Sequence, residues 1–280
     1  MSGKLIIVGT PIGNLSDFSS RGIETLKNVD FIAAEDTRVT LKLLNHFEIK
    51  KPLISYHQHN YKARGEFILK RILSGESCAL VSDAGMPAIS DPGEKLVSLC
   101  HINNVSVTVV PGPSALTAAI AISGFPSGRF TFEGFLSVNK KNRHKHLQEL
   151  KYEPRTMIFY EAPHKLINTL TDLYEALGDR KIAIVKEITK IHEQVRNTSL
   201  AQAILYCEKN PPKGEIVLIV GGNKADPELL PHYSLSDALS ITNNCIKEGA
   251  TPTEAAKTAA KITGINKSEI YRAFIADKKS

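Results

Sequence analysis

Short apolar segments that predict β-strands alternate with segments of helical periodicity along the first half of the chain. The predicted pairs of a strand and the helix that follows it are 5–9 and 19–27, 29–34 and 38–47, 52–56 and 61–73, 77–82 and 92–102, and 105–110 and 114–123. Strands that are separated by a helix run parallel, and their crossovers are right-handed. The first half therefore predicts an α/β fold with a doubly wound parallel sheet.

A second series begins after the Gly- and Pro-rich break at residues 124–128. It opens with an apolar segment at 129–135, which is followed by a basic stretch and a helix to about residue 151. Its further strands are predicted at 156–161, 181–188, 192–197 and 215–221, and its further helices at 164–177 and 200–209. The strands near 188 and 197 are close enough in sequence to pair antiparallel. This half predicts a second doubly wound α/β domain.

The last part of the chain carries helical patterns only. Ala260, Gly264 and Ile270 have the i, i+4, i+10 spacing of a helix-turn-helix core. This spacing does not imply a DNA partner, and we expect none; a small helical bundle that packs on the rest of the protein is the alternative. The predicted domains are an N-terminal α/β domain at 1–112, a C-terminal α/β domain at 113–222, a linker at 223–234 and a helical tail at 235–280.

The composition is that of an ordinary globular protein, with 42% hydrophobic and 23% charged residues among 280. No apolar run is long enough to span a membrane, and Met1 lies just before the first strand. We therefore expect a cytoplasmic protein with no signal peptide and no membrane partner. The four cysteines are scattered and predict reduced thiols, and His57 and His59 are better explained as polar loop residues than as ligands, so no metal is expected.

Three of the predicted strands end in loops rich in glycine and proline, at residues 9–15, 82–93 and 111–114. The carboxyl ends of parallel strands are where open α/β sheets bind ligands. Glycine lets the backbone approach a ligand closely, and proline makes the loop rigid. We expect the three loops to line one shared cleft.

The first loop, Gly9-Thr-Pro-Ile-Gly13, invites comparison with a dinucleotide-binding turn, and Glu35 stands where a ribose-binding acid would be. The G-x-G-x-x-G fingerprint is absent, however, and Pro11 removes a backbone N–H group that a pyrophosphate would need. A cofactor without phosphate, bound through backbone groups and apolar contacts, fits the loop better. S-adenosylmethionine is such a cofactor.

Several stretches together make a resemblance specific: 8–15, 34–38, 81–85 with 89–93, 111–115, 132–136, 159–164, 186–190 and 213–218. In this order they resemble the tetrapyrrole methylase superfamily, the class III methyltransferases, and within it the branch that modifies small-subunit ribosomal RNA. The Ala34-Glu-Asp-Thr-Arg38 element and the basic stretch after Phe135 distinguish this branch from the porphyrin methylases. Met86 stands where relatives mostly carry threonine.

The resemblance implies two α/β domains with S-adenosylmethionine in the cleft between them, and a homodimer. It also implies methylation of the ribose 2'-hydroxyl of a cytidine in the decoding region of 16S rRNA, within the 30S subunit. A porphyrin or corrin C-methyltransferase and a non-catalytic RNA-binding protein are the alternatives. The residues predicted to contact the cofactor are Gly9, Pro11, Gly13, Asp83, Ala84, Gly85, Ile89, Ser114, Ala115 and Tyr160.

Methyl transfer to a ribose hydroxyl needs the nucleophile held in line, and a base or a cation helps because the hydroxyl is a weak acid. Glu161 and Glu187 are the predicted bases, and Lys190 is the predicted cation. For each of these residues the structural alternative is a helix cap or an ion pair. The same holds for Asp36, another acidic residue at a strand end, which could cap the helix that starts after it.

The net charge of +6 gives a weak indication of a polyanionic partner, and its placement is more informative. Four lysines and arginines and two histidines crowd into residues 140–146. This stretch predicts contacts with RNA phosphates, with a solvated linker as the alternative. The predicted RNA contacts are Arg38, Lys140, Lys141, Arg143 and Lys145.

Overall fold

The structure, a computed structural model, describes residues 3–211, 213–223, 234–263 and 265–277. The chain falls into two compact units, of which the first ends at Asn223. The predicted linker at 223–234 lies outside the described residues except for its first and last members, and Gly264 lies outside them as well.

The first half folds as alternating strands and helices, as predicted. They are β1 (Lys4–Val8), α1 (Ser20–Asn28), β2 (Phe31–Ala34), α2 (Thr37–His46), β3 (Leu53–Ser55), α3 (Tyr61–Leu73), β4 (Cys78–Val81), α4 (Glu94–Ile102), β5 (Ser106–Val110) and α5 (Ala115–Ser123), with a 3-10 turn at Leu15–Asp17. The sheet has the order β3-β2-β4-β1-β5, and all its pairs are parallel.

Helices cover both faces of this sheet. The core on one face joins the strands to α1 and α2, through residues such as Leu26 and Leu44, and the core on the other joins them to α3 and α4, through Ile68 and Leu96. The neighbouring strands β1 and β4 are therefore followed by helices on opposite faces. Their loops diverge and leave a crevice at the carboxyl edge of the sheet, the usual ligand position in doubly wound folds.

The second half forms a mixed sheet in the order β6-β7-β10-β8-β9. Its elements are β6 (Phe130–Phe135), α6 (Lys140–Glu149), β7 (Thr156–Glu161), α7 (Leu166–Leu177), β8 (Lys181–Lys186), β9 (Gln194–Ser199), α8 (Leu200–Lys209) and β10 (Ile216–Val220), with a 3-10 turn at Pro163–Lys165. The core on one face includes residues of α6, α7 and α8, and the core on the other includes residues of α5. The two-sheet α/β class is thus confirmed.

The second sheet is not parallel throughout. Only β6 and β7 run parallel, whereas β10 is antiparallel to both β7 and β8. The predicted antiparallel pair is confirmed, since β8 and β9 pair with Lys186 opposite Gln194. The connection between these two strands is too short for the helical crossover that a parallel pair requires. Because β10 enters between β7 and β8, residues at its start lie beside the ends of those two strands.

The second unit contains α9 (Leu235–Lys247), α10 (Pro252–Thr263) and α11 (Lys267–Asp277). A capping box starts α9, in which Asp237 N–H donates to Ser234 Oγ at 3.2 Å and Ser234 N–H donates to the Asp237 carboxylate at 2.8 Å. Ala256 and Ile270 are fully buried in its core, and Ala260 packs against them. Two of the three predicted helix-turn-helix positions thus belong to this core. No helix among the described residues is long and apolar enough to cross a membrane.

Each unit has an apolar core of its own, so we expect a chain that ends at Gly222 to fold without the tail. Its urea unfolding, followed by circular dichroism, should remain cooperative, with a midpoint close to that at which the first unit unfolds in the full chain. A gradual, non-cooperative transition would show that the tail is needed to complete the fold of the first unit.

Candidate active site

A cavity of about 340 Å³ lies at the carboxyl edges of the two sheets in the first unit. Its walls come from the loops after β1, β4 and β5 and from the ends of β6 and β7, the loop after β8 and the start of β10. The crevice between the diverging loops of β1 and β4 forms one side. Seven of the predicted site residues line this cavity: Ala84, Gly85, Ile89, Ser114, Ala115, Tyr160 and Glu161.

The loops after β1 and β4 are tied together by their backbones. Thr10 N–H donates to Gly85 O at 2.9 Å, and Gly85 N–H donates to Thr10 O at 3.2 Å. Gly85 has a backbone φ of +83°, which residues other than glycine rarely adopt. Gly85 thus lies close to the backbone of the first loop, and the same residue forms part of the cavity wall.

Gly9 makes its close approach to another loop. A Cβ atom on Gly9 would lie 2.7 Å from Gly112 Cα and 2.6 Å from Met86 Sδ. The loops after β1 and β5 thus pack backbone to backbone, and Met86 fills the space beside them. Gly9, Pro11, Gly13 and Asp83 do not line the cavity; Gly9 helps to position residues that do.

Glu161 lies at the end of β7 and is only 5% exposed, with its side chain at the cavity wall. One carboxylate oxygen accepts from the N–H group of Ala162 at 2.8 Å, and the other accepts from the Thr169 hydroxyl. Thr169 Oγ1 accepts in turn from Arg143 Nη2 at 2.9 Å, and Arg143 Nε pairs with Asp172 at 2.5 Å. This chain of polar contacts fixes the direction of the buried carboxylate.

Arg143 differs from the other basic residues of its stretch. Lys140, Lys141 and Lys145 are exposed on α6, whereas the Arg143 side chain is 12% exposed and is held by Asp172. A signal in the sequence could have shown this, because Arg143 lies four residues before Leu147 and shares its helix face. The guanidinium is therefore held by Thr169 and Asp172, and its contact with an RNA phosphate stays a prediction.

Glu187 and Lys190 lie in the turn after β8, outside the cavity wall. Lys190 Nζ lies 3.1 Å from Glu187 Oε1 and 3.4 Å from the Glu215 carboxylate, which does line the cavity. Glu187 Oε1 also accepts from the N–H group of Glu215 at 3.0 Å. Burial would raise the pKa of Glu187, but the hydrogen bonds from Lys190 and Glu215 outweigh it and hold that pKa below its usual range. A carboxylate held in its charged form this way is a weak proton acceptor.

Carboxylates gather at the edge of the first sheet. Burial raises the pKa of Asp91 to about 6; a hydrogen bond with Ser82 opposes this shift, and the charge of Asp83 adds to it.

Asp36 caps α2 by accepting from Arg38 N–H at 2.8 Å, which confirms the structural alternative for that residue. Its hydrogen bonds with the Arg38 side chain lower the pKa of Asp36 to about 2. Arg38 itself stays 87% exposed.

Sequence reasoning missed part of the cavity wall, although most of the missed residues fall within or beside the stretches that carry the family resemblance. They are Ile12, Met86, Asp91, Phe135, Ala162, Pro163, Ile188, Glu215, Ile216 and Val217. The described residues that line the cavity include three carboxylates, Asp91, Glu161 and Glu215, and no lysine, arginine or histidine. Among the residues that the structure describes, no three His, Cys, Asp or Glu side chains are grouped to hold a metal ion.

The fold and the cavity define an α/β protein with a ligand-sized pocket at the switch point of its first sheet. The chain belongs to the family of Tetrapyrrole (Corrin/Porphyrin) Methylases, whose sequence model matches residues 4–204, and it is a methyltransferase. The predicted family is thereby confirmed. A crystal structure of uroporphyrin-III-C-methyltransferase from Thermus thermophilus shares the fold, with a TM-score of 0.56 and 17% identity over 78% of this chain and 94% of that one.

Two relatives are much more similar in sequence. The ribosomal RNA small subunit methyltransferase I of Synechocystis sp. is 46% identical over 271 residues, which make up 96% of each protein. The protein of the same name from Thermotoga maritima is 50% identical over 222 residues, 79% of this chain and 100% of that protein. The extent of the second match is close to that of the first unit, which ends at Asn223.

Thr169→Val should destabilise the protein, because it removes the hydroxyl between Glu161 and Arg143 and leaves buried polar groups without a partner. We expect a loss of about 1–3 kcal/mol in the free energy of unfolding, measured with urea at pH 7. Thr169→Ser keeps the hydroxyl and is the matched control, with a smaller loss. A Thr169→Val variant as stable as wild type, with a loss only in Thr169→Ser, would mean that the methyl group of Thr169, and not its hydroxyl, stabilises this region.

Proposed function

We propose that this protein transfers a methyl group from S-adenosylmethionine to the ribose 2'-hydroxyl of a cytidine in the decoding region of 16S rRNA, within the 30S subunit. The observation that carries the proposal is the cavity of about 340 Å³ at the switch point of a tetrapyrrole methylase fold, walled by apolar side chains and carboxylates. The identity of 46% to a ribosomal RNA small subunit methyltransferase I over 96% of the chain supports the choice of substrate.

The residues of the cavity fit S-adenosylmethionine. The volume is in the range of small-molecule sites, and Ile12, Ile89 and Phe135 provide apolar surface. The carboxylates suit the positive charge of a sulfonium and an ammonium group. Gly85 and Ala84, on the loop after β4, and Ser114 and Ala115, after β5, are the residues that we expect to hold the cofactor. When bound, it supplies an electrophilic methyl group.

Glu161 is the base that this geometry favours. Its carboxylate lines the cavity, whereas Glu187 lies outside the wall and is held by Lys190. We infer that Glu161 accepts the proton of the ribose hydroxyl. We infer that Lys190 acts by holding Glu215 at the cavity rim, since its ammonium group lies near two carboxylates.

The exposed face of α6 is the proposed RNA surface. Lys140 and Lys141 lie in the first turn of this helix, and that turn contains no acidic residue. Positive charge at a helix N-terminus opposes the helix dipole, so these lysines do not stabilise α6 itself. A bound phosphate would reverse this effect. Lys145 is a further exposed cation of this face. Arg38, on α2, is an exposed cation that we propose as a separate RNA contact.

The lining of the cavity does not favour the alternative function. A porphyrin or corrin substrate is a polyanion, and the described residues that line the cavity offer it carboxylates and no cation. We further propose a cytoplasmic homodimer, as the resemblance implies, with α/β domains divided near residue 112. The exposed Val109 on the edge strand β5 is consistent with a subunit contact. The length of the Thermotoga relative supports placing the methyl-transfer machinery in the first unit.

Cofactor affinity should rise with pH through about 6. Burial holds the pKa of Asp91 at about 6, so this cavity-lining carboxylate is neutral in more acidic solution and charged above that pH. A cationic ligand favours the charged form, and calorimetry should show affinity for S-adenosylmethionine increasing by about tenfold between pH 5 and pH 7. Asp91→Asn should remove this dependence, and Asp17→Asn, at an exposed site, should keep it. An unchanged pH profile in Asp91→Asn would exclude the role of this residue.

Deletion of the gene should remove 2'-O-methylcytidine from the decoding region of 16S rRNA, measured by mass spectrometry of nucleosides. The wild-type gene should restore the nucleoside. Purified Glu161→Gln should bind S-adenosylhomocysteine but methylate 30S subunits about 100-fold more slowly, as expected for the loss of a general base. If the deletion strain still contained 2'-O-methylcytidine in the decoding region, the proposed substrate would be refuted.

A further inference from the structure

Two cations lie side by side on one face of the second sheet. In the register of β8 and β9, Lys186 stands opposite Gln194 and Ile184 stands opposite Arg196, so both basic side chains point to the same face and are diagonal neighbours. Both are partly buried. Neither has a carboxylate partner within the described part of the chain.

A second cavity, of about 260 Å³, lies over these cations. Lys186, Arg196 and the amide side chains of Gln194 and Asn210 line it, and none of the described residues in its wall is acidic. The Arg196 guanidinium carbon lies 3.6 Å from the centre of the Tyr206 ring. A guanidinium that stacks on a ring keeps its edge N–H groups available for an acceptor in the plane.

We propose that this second cavity binds a phosphate group of the RNA strand whose ribose is methylated in the main cavity. The proposal rests on the proposed function. Its support is the pairing of two cations and two amide side chains around one space, a set of N–H donors that matches the oxygens of a phosphate and that includes no carboxylate.

The position of the second cavity favours a phosphate of the substrate strand over an unrelated anion. Ile216, at the start of β10, lines both cavities, and its partner in the sheet is Lys186. Lys186 also directly precedes Glu187 and the turn that holds Glu215 at the rim of the main cavity. An RNA strand that places one ribose in the main cavity thus has a binding site for a neighbouring phosphate beside that cavity.

Two unpaired cations at close range repel each other, which weakens the fold unless an anion binds between them. A purely structural role is the competing explanation, since the carboxyl end of α8 lies at this cavity and cations stabilise such helix ends. The two explanations differ in what a neutral substitution does. Loss of a phosphate ligand weakens RNA binding and leaves stability unchanged or higher, whereas loss of a helix-end cation lowers stability and leaves RNA binding unchanged.

The test uses Lys186→Gln and Arg196→Gln, with Lys181→Gln as the matched control because Lys181 is an exposed lysine at the other end of the same strand. Methyl transfer to unmethylated 30S subunits is measured over a series of KCl concentrations, together with S-adenosylhomocysteine affinity and the unfolding temperature. For each of the two variants we expect KM for the subunits to rise about fivefold at physiological salt, with kcat within twofold of wild type. The slope of log KM against log salt should fall by about one.

We also expect both variants to keep the cofactor affinity and the unfolding temperature of the wild type, and we expect Lys181→Gln to behave as wild type throughout. Variants that match Lys181→Gln in KM and salt slope would overturn the phosphate site and leave the proposed function standing. Variants whose unfolding temperature falls below that of Lys181→Gln would assign the cations to the fold and also overturn it. A wild-type protein that transfers no methyl group to 30S subunits would refute both the proposed function and this inference.

Discussion

The divergence of the loops after β1 and β4 is the constraint on which the rest of the first unit depends. Because α1 and α4 pack on opposite faces of the parallel sheet, the space between these loops cannot be filled by either helix. The reciprocal hydrogen bonds of Thr10 and Gly85 and the contact of Gly9 with Gly112 then fix the walls of that space. Each of these contacts needs a small residue or an unusual φ, so the pocket is built at a cost in conformational freedom.

The main cavity is lined by negative charge, whereas the protein as a whole is positively charged. The chain as a whole is basic, with a net charge of +6, yet the described residues that line the cavity include three carboxylates and no cation. The cations that we propose to contact RNA lie elsewhere, on α6 and near the amino end of α2. A small cationic cofactor and a large polyanionic substrate would each meet the complementary charge, and neither would compete for the surface of the other.

A chain of polar contacts from the buried Glu161 to the partly exposed Asp172 connects these two regions. Arg143 belongs to the basic helix by sequence, but its guanidinium is used inside the protein to hold Thr169 and, through it, the carboxylate at the cavity wall. Such an arrangement is stable only when every member keeps its partner, because a buried charge left alone is strongly destabilising. The helix that carries the proposed RNA-binding lysines therefore also fixes the direction of the proposed base.

The sequence by itself determined the order of strands and helices, the family and the three loops at the carboxyl edge, because periodicity, glycine and proline act over a few residues. It also placed Gly85, Tyr160 and Glu161 at the site through motifs that are local in sequence. It did not show that β10 lies between β7 and β8, that Glu161 and not Glu187 reaches the cavity, or that Arg143 points inward and Lys186 lies beside Arg196. Those facts depend on which distant segments pack together, and long-range packing is decided only when the whole core forms.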